Sequence, residues 1–112
     1  MSEQDVKAYV TRLRDTFYRF SKIRIPTIAA INGFALGGGL ELALSCDIRL
    51  ATKISTIGLT ETALGIIPGA GGSQRLTRVV GASKAKELIF TATKLTGEES
   101  FKLGIINHLL EN

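Results

Sequence analysis

The stretch GFALGGGLELALSCD, residues 33–47, contains the features that decide the fold. Three consecutive glycines, Gly37 to Gly39, precede a helix-forming string of leucines and alanines, and Glu41 lies within that string. Glycine lowers helix stability, and a carboxylate on an apolar helix costs desolvation free energy. Because unpaired backbone N–H groups at the start of a helix attract negative charge, we expect this turn to receive a phosphate or an oxyanion. Close helix packing is the alternative explanation of the glycines.

The sequence after the glycines argues against a phosphate site. A P-loop would place Lys and then Ser or Thr after its last glycine, whereas Leu40 and Glu41 follow here. The spacing within GFALGGG also differs from the dinucleotide-binding fingerprint. At helical spacing the neighbours of Glu41 include Gly37 and Gly38, so we expect this carboxylate to face the glycine turn, where it would repel a phosphate.

A second segment, IGLTETALGIIPGAGG at residues 57–72, repeats the combination of glutamate and glycine. Glu61 precedes Gly69 by eight residues, and Gly69, Gly71 and Gly72 allow the backbone to pass close to a ligand or another segment. An interaction of Glu61 with a helix dipole is the alternative. Two carboxylates beside a backbone oxyanion site can bind an enolate, remove one proton and supply another.

Other kinds of chemistry find little support in the sequence. No Gly-x-Ser-x-Gly motif is present, and His108, the single histidine, is expected on a strand or at the surface. The one cysteine, Cys46, excludes an internal disulfide framework, and its apolar neighbours predict a buried side chain. No cluster of His, Asp and Glu has metal-ligand spacing. The net charge of +4 comes from basic residues scattered singly, which does not form a nucleic-acid patch.

Short helices and strands alternate along the chain, which predicts an α/β domain. An apolar face predicts a helix over residues 3–22 with Ser2 as its N-cap. Thr27–Ile31 is predicted as a strand buried on both faces, followed by a turn and glycine loop at 32–39. The other predicted elements are helices at 40–46, 73–80, 84–92 (capped by Ser83) and 96–103, strands at 47–53, 56–59 and 105–111, and a helical turn at 61–64.

The length of 112 residues favours one domain with a modest core. A hydrophobic content of 45% is high for so short a chain and suggests a piece that further chain or other subunits would cover. No apolar run reaches the ~18 residues that span a membrane, and no targeting segment is visible at the N-terminus.

The segments PTIAAINGFALGGGLELALSCDIRLAT and IGLTETALGIIPGAGGSQRLTRVVG strongly resemble the crotonase, or enoyl-CoA hydratase/isomerase, superfamily. The likeness continues through AKELIFTATKLTGEESFKLGIINHLLE and is greatest to a branch that contains mitochondrial and RNA-binding hydratases. It implies the central part of the α/β crotonase fold, a repeated ββα spiral. Residues 1–112 would be a partial domain that lacks the N-terminal and C-terminal parts.

The resemblance also implies roles for particular residues. Gly38 would donate one oxyanion N–H, Glu41 would be the base that activates water, and Glu61 would be the acid that delivers the α-proton. Together they would add water in syn geometry to a 2-enoyl-CoA thioester, with CoA as part of the substrate, no separate cofactor and no metal. Gly69 would help to position the water or a glutamate, and the residues expected to line the acyl pocket are Phe34, Leu36, Gly37, Thr60 and Leu64.

Several alternatives stay open on the sequence. Leu59 and Thr60 stand where short-chain hydratases carry a polar residue and proline, which leaves the acyl group undefined. Isomerisation, or methylglutaconyl-CoA hydration with RNA binding as a second activity, are alternative functions. The second oxyanion N–H comes from upstream in the family, so the isolated chain is expected to be inactive. The family also implies a homotrimer or hexamer and a mitochondrial matrix location, with the cytoplasm as the alternative.

Overall fold

The computed structural model describes residues 1–111. Within them, five α-helices alternate with six short strands, and one 3₁₀ turn lies between the fourth strand and the third helix. The helices are α1 (Glu3–Ser21), α2 (Gly38–Leu44), α3 (Gly72–Val80), α4 (Ala82–Phe90) and α5 (Gly97–Lys102); the strands are β1 (Ile28–Ile31), β2 (Phe34–Leu36), β3 (Ile48–Thr52), β4 (Thr56–Gly58), β5 (Leu95–Thr96) and β6 (His108–Leu110); the 3₁₀ turn is Glu61–Leu64.

The strands form two three-stranded sheets, and the chain passes from one sheet to the other. The first sheet has the order β1-β3-β6 with parallel neighbours, and the second has the order β2-β4-β5. In the second sheet β2 is parallel to β4, with Phe34 opposite Thr56, and β4 is antiparallel to β5. Along the chain, two consecutive strands, one for each sheet, are followed by helical structure: β1 and β2 precede α2, and β3 and β4 precede the 3₁₀ turn and α3. This repeat confirms the predicted α/β class and the ββα spiral.

The core lies between the two sheets and helices α2, α3 and α4. Its centre consists of branched aliphatic side chains that are almost fully removed from water, which stabilises each by about 2 kcal/mol. Since Leu40 and Leu44 pack α2 into this core, the position of the turn at the N-terminus of α2 is fixed. The central side chains are Leu40, Ile57, Leu59, Leu76, Ile105 and Ile106.

A buried arginine fixes the other end of α2. The Arg49 guanidinium donates from Nη1 to the Cys46 carbonyl at 3.0 Å and from Nε to the Ile105 carbonyl at 2.7 Å. Burial lowers the pKa of Arg49, and these carbonyl acceptors compensate its lost hydration. Helix α2 is therefore anchored at its C-terminus by β3 and packed into the core along its length.

Two expectations about the strands are wrong. Residues 34–36, predicted as loop, form β2, because their partner β4 lies 22 residues further along the chain and no local pattern reveals it. The strand β1 is not buried on both faces: Ile28 is 59% exposed and Ala30 is exposed. Among the described residues β1 pairs only with β3, so it is an edge strand with one uncovered side.

The predicted helices are confirmed, but their ends differ from the prediction by up to two residues, and Gly38 and Gly39, predicted as loop, begin α2. Ser2 and Thr96 cap α1 and α5 through capping boxes with Asp5 and Glu99. Helix α4 begins at Ala82, two residues earlier than expected, and its N-cap is Gly81 and not Ser83. Cys46, expected to be buried, is half-buried at the end of α2.

Helix α1 lies at the periphery of the fold. None of its residues is buried, so the apolar face predicted for this helix, which includes Val6, Leu13 and Phe17, stays partly exposed. One side chain links its middle to the rest of the chain: Arg14 Nε donates to the Gly69 carbonyl at 3.1 Å. Throughout residues 1–111, no helix combines the length and the apolarity that crossing a bilayer would require.

Candidate active site

The turn before α2 presents unpaired backbone donors. Gly37 is the N-cap of α2 with φ of +55°, and its own N–H donates to the Gly58 carbonyl at 2.9 Å. Within residues 1–111, neither a carbonyl nor a side chain accepts a hydrogen bond from the N–H of Gly38 or Gly39. These donors lie at the positive end of the helix, where an oxyanion would be stabilised. The geometry therefore suits the role expected for Gly38.

The Glu41 carboxylate is bound by the second glycine segment. Its Oε2 atom accepts hydrogen bonds from the N–H groups of Ala70 at 2.7 Å and Gly72 at 2.8 Å. The side chain is only 3% exposed. A Cβ at Gly72 would lie 2.7 Å from Glu41 Cγ, so only glycine lets the helix start approach this closely. The partner thus differs from the expected one, since the sequence placed Glu41 against Gly37–Gly39.

Competing influences set the protonation of Glu41. Burial has the largest effect and raises its pKa above the ordinary value of 4.5. The hydrogen bonds from Gly72 and Ala70 lower the pKa in part, the Glu61 charge raises it, and the Arg75 charge lowers it. The net direction is upward, which makes this carboxylate a stronger base near neutral pH than a solvated glutamate.

Glu41→Gln is expected to make the folded chain more stable at neutral pH. Because the pKa is raised in the folded state, the contribution of Glu41 to stability is full below pH 4.5 and is lost as the pH rises through the folded-state pKa. Glutamine cannot ionise, and its one carbonyl oxygen can accept both N–H groups. Urea unfolding at a series of pH values should show the variant's advantage at pH 7 vanish below pH 4.5. An advantage that is the same at every pH would contradict this account.

The Glu61 carboxylate lies against the first glycine segment, as the Glu41 carboxylate lies against the second. Glu61 starts the 3₁₀ turn, and a Cβ at Gly37 would lie 2.9 Å from Glu61 Oε2. Its Oε1 atom is buried and has no hydrogen-bond partner within residues 1–111. Each glutamate therefore contacts a glycine of the other segment: Glu41 contacts Gly72, and Glu61 contacts Gly37. The two carboxylates are close enough for the Glu61 charge to raise the Glu41 pKa.

The residues expected to line the acyl pocket or position water differ widely in their exposure. Leu36 ends β2 and is half-buried, and Thr60 is the N-cap of the 3₁₀ turn. Phe34 and Leu64 are 81% and 80% exposed, and Phe34 lines an open groove of about 450 Å³ beside β1. Gly69 is half-buried, and its carbonyl is held by Arg14. Their roles stay predictions, whereas Gly37, Gly38, Glu41 and Glu61 lie together around the start of α2.

Four residues near the site were not predicted for these roles. Ala70 and Gly72 bind Glu41, and Arg14 and Arg75 bind the carbonyls on either side of Ala70. The glycines at 69–72 did signal the close approach of another segment, but neither an alanine N–H nor a single arginine on a helix carries a sequence pattern. Across residues 1–111, no group of three His, Cys, Asp or Glu side chains could hold a metal ion.

The sequence matches the model of the family Enoyl-CoA hydratase/isomerase over residues 1–112. The chain therefore belongs to this family, and its fold and paired glutamate–glycine segments are consistent with that membership.

Known members of the family are similar over nearly the whole chain. Human enoyl-CoA hydratase domain-containing protein 2, mitochondrial, is 54% identical over 108 residues, which are 96% of this chain and 37% of that protein. Human methylglutaconyl-CoA hydratase, mitochondrial, is 53% identical over 111 residues, or 99% of this chain and 33% of that one. The crystal structure of enoyl-CoA hydratase from Bacillus anthracis superposes with a TM-score of 0.92 at 46% identity, covering 99% of this chain and 43% of its own. The chain thus spans about a third of the length of these curated relatives.

Proposed function

We propose that this chain carries both catalytic carboxylates of an enoyl-CoA hydratase, an enzyme that adds water to a 2-enoyl-CoA thioester. The observation that carries the proposal is the reciprocal arrangement of Glu41 and Glu61 beside the unpaired Gly38 N–H. A hydratase needs a base and an acid beside a carbon–carbon double bond and a donor to the thioester oxygen, and the proximity of Glu41, Glu61 and the Gly38 N–H supports these roles.

In the proposed reaction, the thioester oxygen accepts a hydrogen bond from the Gly38 N–H. Glu41 removes a proton from water while the water oxygen bonds to C3, and the electron pair of the double bond moves to the thioester oxygen as an enolate. Glu61 then gives a proton to C2, and the carbonyl re-forms. Transfer of the proton from Glu41 to Glu61 through solvent restores both carboxyl groups for the next turnover. The sum is one water added with no change in oxidation, so the proposal includes no metal and no cofactor beyond the CoA of the substrate.

The surroundings of the two glutamates favour this assignment of roles. Glu41 Oε2 is fixed by two N–H groups, and Oε1 accepts no hydrogen bond within residues 1–111, so it is available to water. Its raised pKa suits a base. The Oε1 atom of Glu61 is buried and has no hydrogen-bond partner within residues 1–111, which leaves it available to the substrate.

The setting of the enzyme is proposed from its relatives. Two human relatives carry the word mitochondrial in their names, which supports the mitochondrial matrix as the location. The exposed apolar side chains on α1 and β1 support a trimer or hexamer once further chain is present. RNA binding is not part of the proposal, because the basic residues are scattered singly.

The test is the hydration of crotonyl-CoA in water enriched in ¹⁸O. One sample is the 112-residue chain, and the other is a chimera in which this chain replaces the matching segment of human methylglutaconyl-CoA hydratase. We expect the chimera to incorporate ¹⁸O at C3 and the isolated chain to be inactive, since one oxyanion N–H is expected from upstream sequence. A folded chimera that only moves the double bond would indicate an isomerase. One that binds the thioester and incorporates no ¹⁸O would contradict the proposal.

A further inference from the structure

We infer that Arg14 and Arg75 are positioning residues for the Glu41 carboxylate and that they act through the backbone of residues 69–72. The contacts stand independently of the proposed function, and only the kinetic consequence rests on it. The role of the two arginines is to fix the backbone donors that hold the base.

Arg14 acts on Glu41 through a single peptide group. Its Nε donates to the Gly69 carbonyl at 3.1 Å, and the Ala70 N–H donates to Glu41 Oε2 at 2.7 Å. The Gly69 carbonyl and the Ala70 N–H belong to the same planar peptide unit. A hydrogen bond at one end of such a unit polarises the group and strengthens the bond at the other end. A cationic donor on α1 is therefore linked to the carboxylate on α2.

Arg75 fixes the next peptide group of the same loop. Its Nη1 donates to the Ala70 carbonyl at 3.2 Å, and its backbone N–H donates to the Gly71 carbonyl at 3.0 Å. Gly71 has φ of +91°, and a Cβ there would collide with Arg75 Nη1, so the guanidinium lies directly against the loop backbone. The loop then leads to the Gly72 N–H, the second donor to Glu41. Both donors thus belong to a backbone that an arginine holds from each side.

The two arginines are expected to affect the Glu41 pKa to different extents. Glu61 on the 3₁₀ turn and Arg75 on α3 are the charged groups that face it, and they act in opposite directions on its pKa. Removing Arg75 takes away a favourable charge and a support of the loop, and both changes raise the Glu41 pKa. Removing Arg14 acts through the peptide group alone, so its effect has the same sign and is smaller.

The test is the titration of the Glu41 side-chain carboxyl carbon by NMR in the 112-residue chain. Arg14→Met and Arg75→Met are compared with Arg12→Met on α1 and Arg78→Met on α3, which remove exposed arginines from the same two helices. We expect the midpoint to move to higher pH in the first two variants, more in Arg75→Met, and to stay in place in the two controls. Unchanged midpoints in Arg14→Met and Arg75→Met, or an equal shift in the controls, would overturn the inference.

Arg75→Gln is a second variant that tests the role of Arg75 if Arg75→Met does not fold. Arg75→Gln keeps an N–H donor for the Ala70 carbonyl but removes the charge, so its midpoint should rise less than that of Arg75→Met and still exceed the wild-type value. Far-UV circular dichroism and urea midpoints identify the folded variants. A folded Arg75→Gln with the wild-type Glu41 midpoint would overturn the role of Arg75.

Kinetics of the chimera distinguish this inference from the proposed function. We expect Arg75→Met to lower kcat by about tenfold with KM within about twofold, and to move the acidic limb of the pH profile to higher pH, because a displaced base slows chemistry more than binding. Shifted Glu41 midpoints in a chimera that never adds water would leave the positioning role standing and remove the hydratase proposal. Full hydration activity with unchanged Glu41 titration midpoints in the variants would support the hydratase proposal and remove the positioning role.

Discussion

Replacing Glu61 by glutamine in the chimera is expected to lower kcat for hydration by about a thousandfold, with KM changed by less than about threefold. Glutamine has nearly the same shape and still fits beside Gly37, but it cannot deliver a proton to C2. Glu41→Gln should cause a loss of similar size, because its amide cannot remove a proton from water. The measurement is steady-state kinetics on crotonyl-CoA, with ¹⁸O incorporation as the direct record of water addition.

Glu98→Gln is the matched control for this experiment. Glu98 is an exposed carboxylate on α5 whose contact with Lys102 is a solvent-exposed pair at 4.0 Å, so its removal should leave both kinetic constants unchanged. The double variant Glu41→Gln/Glu61→Gln should be little slower than either single variant, since the two groups act in one reaction. If Glu61→Gln keeps the wild-type kcat, this glutamate is not the acid.

Substituting Gly97 by alanine is expected to destabilise the fold by about 3 kcal/mol, a large part of the free energy of unfolding of a chain this size. Gly97 begins α5, is buried, and packs its backbone against the end of β3. A Cβ at this position would collide with the Thr52 carbonyl oxygen and lie 3.0 Å from the Thr52 carbonyl carbon. Because the neighbour is backbone and not the end of a flexible side chain, strand or helix must move.

Gly39→Ala provides a control with the opposite expected sign. Gly39 lies in the first turn of α2, and a Cβ there would meet no atom within 4 Å. Alanine should therefore stabilise the helix by about 0.5–1 kcal/mol. Urea unfolding with a constant m-value measures both changes. Equal midpoints for the two alanine variants would contradict the packing argument at Gly97.

Elements with a strong local signal could be predicted from the sequence. The caps at Ser2 and Thr96 and the apolar period of α1 are signals that span only one or two helical turns. The structure confirms both caps and the helix that the period predicts. Strands β2 and β5 were missed because two or three residues show no period. Their existence depends on β4, which lies between them in the second sheet. The exposure of β1 could not be predicted, since its hydrophobic composition is typical of a strand covered on both sides.

The types of residue at the candidate site could be predicted from the sequence, but the contacts between these residues could not. The pairing of glycine and glutamate in two segments indicated that two carboxylates lie beside glycine turns, and the glycines at 69–72 indicated a close approach. Which group approaches them is a property of tertiary packing: the Glu41 carboxylate reaches Ala70 across 29 positions of sequence. The arginines could not be identified, because Arg14 belongs to an amphipathic helix with several exposed basic residues and only the loop backbone distinguishes it.

The reciprocal contacts of Glu41 with Gly72 and Glu61 with Gly37 have a consequence for exchange of segments between family members. A recombination crossover placed between residues 42 and 60 would join the first segment of one parent to the second segment of another. Both carboxylates would then depend on glycines inherited from the other parent, at distances that tolerate little displacement. Residues 37–75 should therefore be transferred as one block. Libraries of shuffled hydratases should retain activity mainly when the junctions fall outside it.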